Sequence, residues 1–328
     1  MKAVYIKEFG GVENLEIREV AEPKEPKRIE VLVRVRAAGL NRADLLQRRG
    51  LYPPPEGFDP KIPGLEFAGE VEATGSGVTQ FKIGDRVFGI SSGEAQAELL
   101  LSNAGLVARI PDNLNFTEAA AVPEAFITAH DAIFTQAKLN EGETLLIHAV
   151  GSGVGLAALQ LANANGALTV GTSRTLNKLE RCRELGLDHA LHAPEGEFAD
   201  ELLAATNGEG VDVILDLVGG EYFEQNLRVL NPKGRLMLVG LTAGAKAEFD
   251  LGLALRKRAT IKGTVLRGRS TEEKADAVSS FAKEVVPLFE SGVLKPNIDR
   301  VFPAADVRRA HEYIESNESF GKLVVDFS

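Results

Sequence analysis

The sequence predicts an α/β protein of two domains: a small, mainly β domain, and a second domain built as a doubly wound parallel sheet with helices on both faces. Three observations predict it. At 328 residues the chain exceeds one ordinary core and suits about two domains. Its first third carries short alternating segments broken by glycine and proline, whereas from about residue 140 strand-like and helix-like segments alternate. Where that alternation begins, a glycine-rich turn, His148-Ala149-Val150-Gly151-Ser152-Gly153-Val154-Gly155-Leu156, joins an apolar strand to a helical pattern.

Taken in order, Glu30 to Ala37 alternates and is β-branched, Glu66 to Thr74 is similar, and Lys82 to Phe88 reads as a turn feeding a strand. Tyr52-Pro53-Pro54-Pro55 and Ile62-Pro63-Gly64 punctuate the region. The pattern changes near Phe116. Thr117 is a plausible N-cap, and 118–137 reads as helix with one interruption at Pro123. Strands then follow at 144–149, 168–172, 189–192, 211–217, 234–240 and 260–265, with helices at 155–164, 176–185, 198–206 and 222–230 between them. Near-continuous apolar runs such as Leu145-Leu146-Ile147 and Val213-Ile214-Leu215 suit parallel strands covered on both faces. A helix over 271–291 follows. The end, 303–326, reads as a helix and then a strand that returns to the first domain. The expected division is therefore 1–122 with 292–328 for the β domain, and 123–291 for the doubly wound domain.

Composition narrows the function. The net charge of −10 disfavours a broad nucleic-acid or anionic-membrane surface, because polyanions are repelled. No apolar run reaches the ~20 residues that span a bilayer, and Met1 to Glu8 lacks the apolar core of a signal peptide. A cytoplasmic protein without nucleic-acid or membrane partners is expected. The one cysteine, Cys182, rules out an internal disulfide and any metal site built on several thiolates.

The glycine turn points to a nucleotide. Small residues let backbone approach a pyrophosphate, and the N–H groups and dipole of the following helix favour the anion. The strict G-x-G-x-x-G spacing is absent, and the turn reads A-x-x-S-x-x-G, with Gly151, Ser152, Gly153 and Val154 as the candidate contacts. A merely tight strand-to-helix turn is the competing reading, and the βαβ alternation weighs against it. In NAD-binding units an acid about 20 residues on holds the ribose hydroxyls. Here the second strand ends Gly171-Thr172-Ser173-Arg174-Thr175, with no acid. Ser173, Arg174 and Lys178 suit a 2′-phosphate, unless they are incidental charges at an exposed helix start. NADPH is the expected cofactor.

These residues resemble the zinc-independent quinone oxidoreductase (zeta-crystallin-like) branch of the medium-chain dehydrogenase/reductase superfamily over essentially the whole chain. The resemblance rests on Ala38-Gly39-Leu40-Asn41-Arg42-Ala43-Asp44, Arg49-Gly50-Leu51-Tyr52-Pro53-Pro54-Pro55 and Pro63-Gly64-Leu65-Glu66-Phe67-Ala68-Gly69. It continues through Gly84-Asp85-Arg86-Val87, Ala119-Ala120-Ala121-Val122-Pro123-Glu124-Ala125, the 148–156 turn, 212–220, Ala310-His311-Glu312-Tyr313 and Gly321-Lys322-Leu323-Val324. The Asn-Arg-Ala-Asp-Leu stretch and Ser152 look closest to the p53-inducible quinone reductase subgroup. The resemblance implies a GroES-like catalytic domain and a Rossmann-type cofactor domain, an active site in the cleft between them, and a homodimer joined at cofactor-domain sheet edges. It implies that Asn41 and Thr128 lie near the nicotinamide, that Tyr52 lines the substrate pocket, and that Val239-Gly240-Leu241 and Val265-Leu266 frame the nicotinamide ring. His192-Ala193 stands where some family members carry a tyrosine against the adenosine phosphate.

Zinc-dependent relatives use cysteine, histidine and cysteine on the metal; here Asn41 stands near the first position and Gly64-Leu65-Glu66 at the second. The chemistry agrees. Hydride delivery to a ketone makes an alkoxide, whose conjugate acid is comparable to water at ~15.7. Delivery to a quinone makes a phenoxide with a conjugate acid near ~10, as for tyrosine. That ~6-unit gap is about 8 kcal/mol of anion stability, so a quinone reductase can dispense with a Lewis acid. Asn41 and Tyr52 are the candidate catalytic residues, as donors to substrate or cofactor. Asn41 is also a plausible cap for the helix from Arg42 to Arg49, and Tyr52 a plausible turn-packing residue. Asp44, Glu66 and His130 read as structural. The expected function is NADPH-dependent quinone reduction, with electrons passed one at a time to a semiquinone or as a hydride to a hydroquinone, two routes that the sequence does not distinguish. The alternative is reduction of an activated C=C bond in an enone or enoyl thioester, and a non-catalytic or RNA-binding role is a third class that the charge disfavours.

Overall fold

The computed structural model describes residues 1–328, and its internal contacts divide the chain into two units: Met1–Ile127 with Leu266–Ser328, and Thr128–Val265. The first unit opens with β1 (Lys2–Ile6) and β2 (Leu15–Glu19), an antiparallel pair. There follow β3 (Glu30–Leu40), α1 (Arg42–Arg48), β4 (Glu66–Thr74), β5 (Arg86–Ile90), β6 (Leu99–Asn103), β7 (Val107–Arg109), α2 (Phe116–Ala120) and α3 (Pro123–His130), within which the first unit ends at Ile127. The alternation read in 30–37 is the pleat of β3, with Val31, Val33 and Val35 turned into a core that also holds Phe67, Val71, Val87 and Leu100.

The second unit contains β8 (Thr144–Ile147), α4 (Gly153–Ala164), β9 (Leu168–Ser173), α5 (Leu176–Glu184), β10 (His189–His192), α6 (Ala199–Ala205), β11 (Val211–Asp216), α7 (Tyr222–Val229), β12 (Leu230–Leu238), α8 (Leu251–Lys257) and β13 (Thr260–Gly263). Its six strands are all parallel, in the order β10-β9-β8-β11-β12-β13. Counted from β8 this is 3-2-1-4-5-6, the order of the doubly wound dinucleotide fold, with its reversal beside β8. The apolar strand centres Leu146, Val170, Leu191, Ile214 and Leu236 are all buried, with Leu202 and Leu227 of the helices packed on them. No helix is long and apolar enough to cross a membrane.

The chain then returns to the first unit through α9 (Thr271–Glu284), α10 (Val286–Glu290), β14 (Ile298–Pro303), α11 (Val307–Glu315) and β15 (Lys322–Asp326). There β15 pairs antiparallel with β3, giving the sheet β14-β15-β3-β4-β5-β7 with β6 also on β3.

Three details differ from the sequence reading. The cap of α2 is Asn115, not Thr117: Asn115 Oδ1 accepts from the Glu118 amide at 2.9 Å, and Thr117 sits inside the first turn and donates to the same oxygen at 2.7 Å. The helix expected over 118–137 stops at Ala120, restarts at Pro123 and widens into a π turn over Asp131–Gln136. Residues 266–291, read as part of the cofactor domain, pack with the first unit, where Phe281 meets Phe88 edge-on at 5.8 Å and Phe289 meets Phe126 at 4.8 Å. That helix also breaks at Val285, ahead of Pro287.

Candidate functional site

In the second unit the glycine turn leaves β8 at Ile147 and enters α4 at Gly153. Ser152 is the N-cap, and its Oγ accepts from the Gly155 amide at 3.1 Å. A Cβ on Gly155 would lie 2.6 Å from the carbonyl oxygens of Ala149 and Val150, so only glycine lets the helix start this close to the strand end. Ser152, Gly153 and Val154 are half-buried while their neighbours Gly151 and Gly155 are buried. Helix geometry leaves the first-turn N–H groups without intrahelical acceptors, ready for an anion.

Behind the turn lies a buried polar network. Asn226 Nδ2 donates to Asp216 Oδ2 at 2.9 Å, which turns Asn226 Oδ1 toward His148 Nε2 at 2.6 Å. That oxygen can only accept, so Nε2 carries the imidazole proton, and Nδ1 accepts from the Thr172 hydroxyl at 2.8 Å. Burial holds the His148 pKa below its ordinary value, in keeping with a neutral ring. Asp216 Oδ1 accepts from the Val218 and Gly219 amides, both at 2.8 Å. The network ties together the C-terminal ends of β8, β9 and β11, where the ligand crevice of this fold lies.

Ser173 ends β9, is buried, and accepts from the Thr175 amide at 3.1 Å. Arg174 is exposed and Lys178 half-buried, at and just inside the start of α5. The His192 ring meets the Arg174 carbonyl oxygen at 3.1 Å, so His192 sits beside the segment expected to take the 2′-phosphate. Val239 and Gly240 follow β12, and both amides donate to the Asp216 carbonyl, at 2.9 and 3.2 Å. Leu241 and Val265 are 56% and 51% exposed. Residues 151–154, 173–174, 239–241 and 265 thus gather at the C-terminal edge of one parallel sheet. Leu266 belongs to the first unit and is buried, and Thr128, half-buried on α3, is the first residue of the second.

The first unit carries a buried charged cluster. Asn41 precedes α1, and its amide N–H donates to Asp44 Oδ2 at 2.7 Å. The side chain is turned elsewhere. Asn41 Nδ2 donates to Glu66 Oε1 at 2.8 Å, and Oδ1 accepts from Lys322 Nζ at 2.7 Å. Lys322 spends its other donors on Glu66 Oε1 at 2.5 Å and the Leu40 carbonyl at 3.2 Å. Glu66 Oε2 accepts from the Glu124 amide at 2.8 Å. The side chains of Glu66 and Lys322 are 0% and 6% exposed. A Cβ on Gly39 would sit 2.2 Å from Glu66 Oε1, so the carboxylate's place requires glycine there. The amide orientation of Asn41 is thereby fixed, with one Nδ2–H left over.

Asp44 is buried and accepts from the Gly64 and Asn41 amides; burial pushes its pKa up to about 6. Glu124 lies among the same groups, and burial together with the Glu66 charge pushes its carboxyl up to about 8. Tyr52 is half-buried over Arg267, whose guanidinium lies 4.9 Å from the ring centroid and donates to the Tyr52 carbonyl at 2.9 Å. Arg267 also donates to the Ser92 carbonyl at 2.7 Å and to Gln47 Oε1 at 2.5 Å, and Lys274 donates to Ser92 Oγ at 2.6 Å. Burial holds the Tyr52 hydroxyl above its ordinary pKa. Sequence reasoning missed Glu124, Lys322, Arg267 and Lys274 as parts of this cluster. Glu124 carried a signal, the one charge in the run Ala119–Ile127; the partners of Lys322, Arg267 and Lys274 lie 175–282 residues away, beyond the reach of any local pattern.

Residues 27–130 match the family model described as "Alcohol dehydrogenase GroES-like domain", and residues 153–283 the model described as "Zinc-binding dehydrogenase". The chain is 35% identical over 327 residues to a quinone oxidoreductase of Pseudomonas aeruginosa, covering 99% of each. Among solved structures it is similar to Escherichia coli quinone oxidoreductase complexed with NADPH, with a TM-score of 0.89 and 30% identity over 99% of this chain and 100% of that one. It is similar also to the CurK enoyl reductase, with a TM-score of 0.87 and 30% identity over 99% and 98%.

The second family description names zinc, and the donors here do not fit that ion. Both Glu66 oxygens are engaged by cationic or N–H donors, the Asn41 amide is held between Lys322 and Glu66, and the one cysteine is buried in α5. No group of three His, Cys, Asp or Glu side chains stands where it could hold a metal. The glycine turn, by contrast, fits a dinucleotide.

Proposed function

Because the chain belongs to the quinone oxidoreductase branch of the medium-chain dehydrogenase/reductase superfamily, and so is an oxidoreductase, we propose that it passes reducing equivalents from NADPH to a quinone without zinc. The observation that carries this reading is the locked Asn41 amide. Lys322 and Glu66 hold it so that it offers an N–H rather than a carbonyl. A single N–H steadies a developing phenoxide, whereas an alkoxide calls for a Lewis acid. Acceptors whose reduced form is a stabilised anion suit this site, and quinones are such acceptors.

When bound, NADPH supplies the hydride. The turn at Gly151, Ser152, Gly153 and Val154 takes the pyrophosphate, and Ser173, Arg174 and Lys178 take the 2′-phosphate. Thr128, Val239, Gly240, Leu241, Val265 and Leu266 frame the nicotinamide. Asn41 and Tyr52 donate to the acceptor. The protein works as a homodimer joined through β13, an edge strand exposed along its whole length, beside which Leu251 and Leu255 of α8 are 74% and 78% exposed. The reading carries a cytoplasmic location with it.

A second reading, reduction of an activated C=C bond in an enone or enoyl thioester, is supported by the likeness to the CurK enoyl reductase and by the same preference for a stabilised anion. Rates of NADPH oxidation with a panel of quinones and enones test both. At least a tenfold advantage in kcat/KM for quinones is expected. An advantage for enones transfers the conclusion to the second reading.

A further inference from the structure

The helix α3 and its flanks are buried without a break from Ala119 to Ile133, except at two positions, Glu124 and Thr128. These lie four residues apart, one above the other on a single face. On an otherwise buried, apolar helix, one half-buried face holding a carboxyl and a hydroxyl stands out, because every other side chain of the run is shut away from solvent. Glu124 is not paired. Its backbone N–H donates to Glu66, but its carboxyl makes no hydrogen bond or ion pair within the chain. The groups that face it come from five places: Glu66 on β4, Asp44 on α1, Lys322 on β15, Arg267 with Tyr52, and Lys274 on α9. Each of the three cations already has other partners. Lys322 is spent on Glu66, Asn41 and Leu40; Arg267 on Ser92, Tyr52 and Gln47; Lys274 on Ser92.

We propose that Glu124 is the proton donor of the reduction. The proposal rests on the functional reading given above. The acceptor gains a hydride, two electrons and one proton, from the reduced nicotinamide and becomes a hydroquinone monoanion. The Glu124 O–H bond then breaks, its proton forms the second O–H of the hydroquinone, and the electron pair stays on the carboxylate. Water returns the proton before the next cycle. A carboxyl pushed up to about 8 is mostly protonated at pH 7, and transfer to a phenoxide near ~10 runs downhill. The neighbouring carboxylates Glu66 and Asp44 discourage its ionisation, and an acid with no partner in the protein has its proton free to give.

Two measurements on the full-length chain test this. Infrared difference spectra of the cofactor-free protein between pH 6 and pH 10 should show a protonated carboxyl band that titrates near pH 8 and is absent in Glu124→Gln. Steady-state quinone reduction should lose about 10²-fold in kcat in Glu124→Gln with KM within threefold of wild type, the size expected for losing a general acid. Wild-type kcat should fall above about pH 8, and the variant should not show that fall. Glu124→Asp, which restores an acid, should recover part of kcat and the pH dependence. Should Glu124→Gln fail to fold, Glu124→Asp and the wild-type spectra decide. Wild-type kcat in Glu124→Gln, an unchanged pH profile, or no such carboxyl band overturns the proposal and leaves the functional reading standing. A wild-type protein that reduces no quinone or enone overturns the functional reading and the proposal with it.

Discussion

Replacing Lys322 by Met should cost the first unit about 3–5 kcal/mol, the usual loss when one partner of a buried ion pair is removed. The magnitude follows from the geometry. The Glu66 carboxylate has no exposed surface, and three of its contacts are N–H donors, of which only the Lys322 ammonium carries a full charge. Methionine keeps the volume and removes the charge, leaving Glu66 and the Leu40 carbonyl without that donor. At a urea slope of about 2 kcal/mol/M the midpoint should drop by roughly 2 M. The chain has no tryptophan, so the transition is followed by far-ultraviolet circular dichroism. The decisive comparison is the pair Lys322→Met with Glu66→Gln, which removes both charges and keeps the shape. It should recover most of the loss and give a coupling of at least about 2 kcal/mol. If Lys322→Met costs under about 1 kcal/mol, or the double variant loses the sum of the singles, the cluster is not held by this ion pair.

Three further outcomes are expected. Glu124 and Asp44 have folded-state pKa values raised to about 8 and about 6, so the folded state binds these protons more tightly than the unfolded one; their stability is present at pH 4 and lost as pH rises toward 8. Melting temperature should fall between pH 5 and pH 8.5, and Glu124→Gln should flatten the part above pH 6. Arg174→Ala should lower kcat/KM for NADPH about 10–100-fold, the worth of a charge-assisted hydrogen bond, and change that for NADH less than threefold. Ile261→Lys on the exposed β13 edge should convert the proposed dimer into a 35.2 kDa monomer on size exclusion, and an unchanged elution volume would count against that edge as the interface.

How much of this was legible in the sequence depended on how local the signal was. The apolar strands of the second unit, such as Leu145-Leu146-Ile147, announce a covered parallel sheet because burial on both faces leaves no room for alternation. The glycine turn is legible for the same reason, since Gly155 is demanded by atoms only five or six residues away. The cap of α2 was misplaced by two residues because Asn115 and Thr117 both carry suitable oxygens, and only the folded turn shows which one reaches the Glu118 amide. The placement of 266–291 was invisible for a different reason. A helix that packs on β7 and one that packs on a parallel sheet bear the same amphipathic pattern, and the aromatic pairs that fix it join Phe281 to Phe88 and Phe289 to Phe126. The Asn41–Glu66–Lys322 cluster joins β3, β4 and β15. Residues 41 and 66 were singled out singly, but nothing short of the strand order brings Lys322 to them.

The most direct test of the account is the reduction of quinones by chelator-treated protein, measured with NADPH and with NADH in parallel and with enones as competing acceptors. Turnover of quinones that chelation leaves unchanged is expected, with kcat/KM at least tenfold higher for NADPH than for NADH and for quinones than for enones. Loss of activity on chelation, equal use of the two cofactors, or a clear preference for enones would each contradict it.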